Sequence, residues 1–253
     1  MPWKGRLQSI EDKVKEMVEV KVKDKDIVVP GEILADGMGY VPGVGTYREG
    51  EAIVSERVGV VSIDGRAIKL IPLSGRYLPK RGDTILCQVV DVTMNGWRLE
   101  TNSAYQAMLS LKEATSEFIA RGADLRKFYD LGDYLVCKVS NVTSQMLVDV
   151  MMKGPGLRKL NGGRVISVNC NKVPRIIGKH GSMVSLIKEA SGCQIIVGQN
   201  GLVWMQGNPE GELLAVRTIR MIETESHITG LTNRIKDFLE KTTGKTLEIR
   251  MEQ

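Results

Sequence analysis

The chain has little of what most catalytic sites are built from. Of its 253 residues only two are histidine and four are cysteine, and aromatic residues make up 5%. His180 and His227 stand far apart, and no HExxH, GxSxG or GxxxxGK[ST] pattern occurs. The usual settings for a metal hydrolase, a serine nucleophile and a nucleotide phosphate are therefore missing. Nor do aspartates recur at the short spacing of a two-metal nuclease. Asp124, Asp130 and Asp133 are near neighbours, but Asp133 follows Gly132 at the start of a strand-like run, where a turn role accounts for it. Cys87, Cys137, Cys170 and Cys193 form no CxxC pair, which argues against structural zinc. All four lie in or beside apolar runs and read as buried free thiols in a reducing compartment. The glycosylation pattern Asn141-Val142-Thr143 then carries no weight. No run approaches the ~18 apolar residues of a membrane span, and Met1–Glu16 has no apolar secretion-signal core. The expectation is a cytoplasmic protein with no metal, cofactor or membrane attachment.

What is present is ordinary in bulk. Lys and Arg number 35 against 30 Asp and Glu, a net charge of +5, with 42% hydrophobic and 26% charged residues. That is a globular chain only mildly biased toward polyanions, long enough for two domains or three small ones.

The pattern along the chain is more informative. Residues 1–26 are rich in Lys and Glu; Val18, Val20 and Val22 alternate, as in an ordered edge or a mobile arm. Residues 27–79 read as all-β, with runs Ile27–Val29, Ala52–Val54, Val58–Ile63 and Ala67–Ile71. Asp64-Gly65 between two of these runs predicts a two-residue hairpin turn. Gly37, Gly39, Gly43 and Gly45 read as turn glycines, since no helix follows to face a phosphate. Five strand-like segments follow, at 84–93, 96–101, 105–111, 133–142 and 146–151, with a helical basic stretch over Lys112–Leu131 after the third. That is the plan of an OB barrel. After Gly154-Pro155-Gly156 and Asn161-Gly162-Gly163 come strand Arg164–Cys170, helices near 173–177 and 182–190, strands Cys193–Val197 and Leu202–Gln206, and a helix near 209–224. A final amphipathic helix over 228–241 carries Ile228, Leu231, Ile235, Phe238 and Leu239. The fold class is multidomain, mainly β plus α/β: an N-terminal β domain (1–79), a five-stranded OB barrel (80–153) and a type I KH domain with an extra C-terminal helix (161–253).

Ile176-Ile177-Gly178-Lys179-His180-Gly181 is the sharpest chemical signal. It lies between two short helices, where a KH domain carries its GXXG loop. Glycines let an RNA backbone approach, the following helix offers free N–H groups to a phosphate, and Lys179 adds charge. Such a loop clamps about four nucleotides. Ile177, Gly178, Lys179, His180 and Gly181 are the expected contacts, with an apolar groove from Ile176, Ile177, Ile195 and Ile196 for the bases. A second signal joins Arg121, Arg126 and Lys127 to Phe118, Phe128 and Tyr129. Cations with aromatic rings suit single-stranded nucleic acid on a barrel; a solvated helix capping the barrel core is the equal alternative, with the arginines better placed for RNA and the phenylalanines for core.

Taken together the motifs resemble the KH-bearing RNA-binding cap subunits of the archaeal exosome. Those motifs are Val29-Pro30-Gly31-Glu32, Gly45-Thr46-Tyr47, Tyr77-Leu78-Pro79 with Gly82-Asp83, Val173–Gly178, Gly181-Ser182-Met183, and Gly198-Gln199-Asn200-Gly201 followed by Trp204. The resemblance covers about residues 27–241. It implies an N-terminal β domain docked on a hexameric ring of phosphorolytic RNase subunits, with an S-one-type barrel around the pore and the KH domain further out. Three copies would sit on each ring, alone or mixed with a zinc-ribbon cap subunit. Single-stranded RNA would be led 3′ end first to the ring, and the chain itself would be non-catalytic. The resemblance also implies that the turn at Gly198, Asn200 and Gly201 packs on the barrel as a structural element; read by itself, Asn-Gly is a favoured two-residue hairpin turn. A free-standing RNA-binding regulator and a ribonuclease acting alone are the alternatives.

Overall fold

The computed structural model describes residues 19–115, 123–226, 228 and 230–244. The chain divides into two units, Met1–Gly75 and Arg76–Gln253.

In the first unit short strands form two sheets. The strands are β1 (Glu19–Val20), β2 (Ile27–Val28), β3 (Ile33–Asp36), β4 (Val41–Pro42), β5 (Thr46–Glu49), β6 (Ala52–Ser55), β7 (Gly59–Asp64) and β8 (Ala67–Pro72). One sheet runs β1-β3-β6-β5 and the other β2-β7-β8-β4. Leu34, Ile53, Val61, Ile68 and Leu70 close the core. The charged leader ends in an ordered edge: Glu19 and Val20 pair with Asp36 and Ala35. The hairpin turn sits one residue later than the sequence suggested. Asp64 still pairs with Ala67, so the loop is Gly65-Arg66. Gly65, at φ +59°, holds the first loop position, where a II′ turn wants glycine.

The second unit begins with the barrel: β9 (Thr84–Thr93), β10 (Gly96–Glu100), β11 (Ala107–Ser110), β12 (Tyr134–Val142) and β13 (Val148–Met151). β9, β10 and β11 pair antiparallel in sequence, and β11 lies parallel to β13. β13 returns antiparallel to β12 and β12 to β9, which closes the ring as an OB barrel. Trp97, Leu99, Leu109 and Leu135 fill the interior beside Cys87 and Cys137, all fully buried. Burial, and then the neighbouring Cys137, push the Cys87 thiol up, so it stays protonated. The basic stretch over Lys112–Leu131 is not one helix among the described residues. Helix α1 (Leu111–Ala114) stops at Thr115, whose backbone is extended. A separate 3-10 turn, Leu125–Lys127, is capped by Asp124, which accepts from the Arg126 N–H.

The stretch between barrel and KH domain is itself structured: β14 (Lys159–Leu160) pairs with Leu135 and Tyr134 of β12. The KH domain follows as β15 (Arg164–Ser167), α2 (Val173–Ile177), α3 (Ser182–Ser191), β16 (Gln194–Val197), β17 (Leu202–Gln206) and α4 (Pro209–Glu225), with the added helix α5 (Leu231–Thr243). Its antiparallel sheet has the order β15-β17-β16, the type I arrangement. One sheet face packs on the helices through Ile195, Val203 and Met205. Leu231, Ile235 and Leu239 of α5 join that core with Phe238 against it, while Ile228 precedes the helix and is exposed. The other face presents Trp204 to Leu86, Val136 and Leu160 of the barrel side.

Candidate nucleic-acid interface

The loop at 178–181 is held by backbone geometry. Gly178 (φ +76°) caps α2, its N–H donating to Pro174 O at 3.0 Å. A Cβ on Gly178 would lie 2.7 Å from both Cβ and N of Met183, so no other residue fits there. His180 (φ +50°) and Gly181 (φ +74°) are both left-handed, which turns the chain directly into α3. That helix has no side-chain cap and no acidic residue in its first turn. Its first N–H groups therefore keep the partial positive charge of a helix start. Lys179 and His180 project into solvent, and exposed Arg175 stands just before the loop.

The apolar groove beside this loop departs from expectation. Ile176 and Ile195 are buried in the KH core. Ile196 alternates to the opposite sheet face and packs toward the barrel with Trp204. Of the four isoleucines expected there, only half-buried Ile177 stays beside the loop.

On the barrel, Arg126 and Lys127 are exposed in the 3-10 turn while Leu125 beneath them is buried. The aromatic residues beside them serve the core. Phe128 and Tyr129 pack on the barrel interior, and the Tyr129 ring meets Trp97 edge-on at 5.1 Å. The Trp97 indole donates to Tyr129 O at 2.9 Å. Arg121 and Phe118 lie outside the described residues.

The turn between β16 and β17 is a three-residue loop rather than a two-residue Asn-Gly turn. The Gly198 N–H donates to Leu202 O and the Gly201 N–H to Gly198 O, with only Gly201 left-handed (φ +80°). The longer loop lets Asn200 reach into the barrel, where it is fully buried. Its Nδ2 donates to Leu86 O at 2.6 Å and Thr101 O at 2.8 Å, and its Oδ1 accepts from the Leu86 N–H at 3.3 Å. The β9–β10 register stops at Gln88↔Glu100. Continued, it would set residue 102 opposite Leu86; there the chain turns away through Asn102 (φ +56°), and the Asn200 carboxamide takes the vacant place. Asn102 Nδ2 donates back to Asn200 O at 2.9 Å, and the Gln199 N–H donates to Thr84 O at 3.0 Å. A Cβ on Gly198 would stand 2.7 Å from Leu86 Cδ1, and one on Gly201 would collide with Val168 O. Asn102 was not singled out by sequence, and a lone Asn in a polar stretch gives no signal. At the barrel entry, the Tyr77 hydroxyl donates to Asp83 Oδ2 at 2.6 Å. Burial first, and the Asp83 carboxylate second, raise the Tyr77 hydroxyl far above the usual tyrosine range.

The comparisons with known proteins agree with this geometry. A family model described as KH domain matches residues 163–221, and one described as Exosome complex exonuclease RRP4 N-terminal region matches residues 27–64. The Exosome complex component Rrp4 of Methanothermobacter thermautotrophicus is 40% identical over 232 residues, 92% of this chain and 73% of that protein. The chain belongs to the Rrp4 family of exosome components. The Rrp4 of Thermococcus kodakarensis is 43% identical over 88% of both chains, and that of Pyrococcus furiosus 43% over 88% of this chain and 86% of its own. A crystal structure provisionally described as an exosome complex RNA-binding protein superposes with a TM-score of 0.59 at 30% identity, covering 66% of this chain and 97% of that one. In Rrp4 family terms, the Gly178–Gly181 loop lies within the KH match and β2–β7 within the N-terminal match.

Proposed function

We propose that the chain is a non-catalytic, cytoplasmic RNA-binding cap subunit that docks on a ring of phosphorolytic exosome RNase subunits and feeds it single-stranded RNA, 3′ end first. The observation that carries this is the uncapped start of α3 behind the Gly178–Gly181 loop in a chain of the Rrp4 family. Ile177, Gly178, Lys179, His180 and Gly181 would grip the RNA backbone, and Arg121, Arg126 and Lys127 would hold it on the barrel. Gly198, Asn200 and Gly201 would fix the angle between the two. Residues 1–79 would be the docking domain, 80–153 the barrel and 161–253 the KH domain, with three copies on a hexameric ring.

The distribution of exposed apolar side chains supports docking through the first unit. Nine of the sixteen large apolar residues exposed among the described residues belong to it. Ile27, Val60 and Ile71 form one cross-strand row over β2, β7 and β8, with Ile27 68% and Ile71 56% exposed. Rows of that kind are suited to burial against another protein.

A tagged pull-down from native lysate tests the assignment. Recovery of phosphorolytic RNase subunits in fixed proportion is the expected result. Recovery of RNA without a nuclease would leave a free-standing RNA-binding protein, and RNA cleavage by the purified chain alone would overturn the non-catalytic role.

A further inference from the structure

The barrel carries a further set of cations, on residues outside the 3-10 turn and the KH loop. Lys138 is an outward residue of β12: its neighbours Cys137 and Val139 point into the core. It pairs with Thr84 of β9 on one side and Met151 of β13 on the other. Lys153 is exposed and follows Met152, which points inward, so it lies on the outward side two residues past Met151. Two residues before Lys138, Val136 donates its N–H to Arg158 O at 2.9 Å. That sets exposed Arg158 beside Val136, in step with outward-facing Leu160. Lys153 and Arg158 are both diagonal cross-strand neighbours of Lys138, a relationship that sets residues about 7–8 Å apart.

None of the three cations has an ion-pair partner among the described residues. Of the acids nearest in the sheet, Asp83 accepts from Tyr77 and Asp133 pairs with Lys159. Asp149 is exposed on the same outward face, two residues before Met151, and the three cations outnumber it there. The cluster borders the place where the KH turn meets the barrel, since Gln199, exposed, donates its backbone N–H to the Thr84 that faces Lys138. Unpaired cations at phosphate-like spacing, beside an exposed amide side chain, suit a flexible polyanion better than a folded acidic surface.

We infer that Lys138, Lys153 and Arg158 form a phosphate-binding site for the backbone of single-stranded RNA at the seam between barrel and KH domain. This rests on the reading that the chain binds single-stranded RNA. Two or three phosphates held here contribute about 0.7 each to the salt slope of binding. The half-buried Met151 thioether beside Lys138 offers a base a soft apolar contact.

The test is fluorescence anisotropy of the full chain with a labelled oligoribonucleotide over a range of salt. K138A/K153A/R158A is compared with wild type and with Lys179→Ala. The expected result is a log–log salt slope flatter by about 1.5–2 and a matching loss of affinity at low salt, with an unchanged melting temperature. The variant K138R/K153R/R158K, which keeps the charges, should restore the slope. A slope unchanged in the triple variant, while Lys179→Ala lowers it, overturns the seam site alone. If wild type shows no salt-dependent RNA binding, the RNA-binding reading itself fails. A slope lost equally in both triple variants would mean that packing rather than charge is responsible, and would also overturn the site.

Discussion

The side chain of Asn200 stands in for a strand residue opposite Leu86, bonding both the N–H and the carbonyl of that residue from 114 positions away. Barrel and KH domain thereby share a hydrogen-bond ladder as well as an apolar contact.

Asn200→Ala leaves the Leu86 N–H, the Leu86 carbonyl and the Thr101 carbonyl without this partner. At about 1–3 kcal/mol for each buried unsatisfied group, partly relieved by relaxation, the loss should be on the order of 3 kcal/mol. Asn200→Asp should be no better, since a carboxylate has no donor for the two carbonyls. The urea midpoint of the second unit measures both.

Gly178→Ala should destabilise the KH domain before RNA is considered. The left-handed backbone and the Met183 backbone 2.7 Å from a Cβ both oppose it, at a cost of about 1–3 kcal/mol. A bulky or charged residue at Gly178 therefore confounds folding with binding. Thermal melts of Gly178→Ala and Lys179→Ala separate the two, with only the glycine variant expected to melt early.

Lys179→Ala should weaken RNA binding while leaving stability unchanged. About four phosphates neutralised by the KH loop and the 3-10 turn should account for roughly −3 of the wild-type log–log salt slope, apart from any contribution of the seam, and removal of one contact should flatten the slope by about 0.7. Arg126→Ala and Lys127→Ala should act in the same sense, uniformly across RNA sequences. Titrations at several salt concentrations check all three.

Stability should fall at alkaline pH through Tyr77. Its hydroxyl is raised in the folded state by burial and by Asp83. The neutral form is thus favoured on folding, and its contribution is complete below the ordinary tyrosine pKa of about 10 and declines as pH rises beyond it. Tyr77→Phe should be less stable near neutrality by about 1–2 kcal/mol, because Asp83 loses its donor. It should also lose less than wild type between about pH 8 and pH 11, a difference that urea midpoints at the two values report.

The sequence made most of the second unit legible. The barrel strands, the KH helices and α5 follow clear apolar periods, and their bounds agree to within a few residues. What escaped were features set by long-range contact. β3, β4 and β5 are too short or too broken by glycines for alternation to show. The isoleucines at 176, 195 and 196 look equivalent along the chain, yet two serve the KH core and one the barrel contact, because the sheet is covered on both faces. Phe128 packs on the core as its sequence suggested, whereas Tyr129, which looked suited to stacking beside Arg126, packs its ring on Trp97 instead. The loop geometry at 178–181 was readable because glycine and helix start are local properties. The partner of Asn200 was not, because nothing near position 102 or 86 marks it.

The distance along the chain between Leu86 and Asn200 also bears on how the molecule is made. At 5–20 residues per second, a ribosome delivers Leu86 of β9 on the order of ten seconds before the turn that completes that strand. Through that interval Leu86, joined by Val136 and Leu160 as each is made, has no Trp204 to cover it. The nascent barrel is thus an unfinished surface, and the arrival of the KH hairpin is the step that makes it safe from association with other chains.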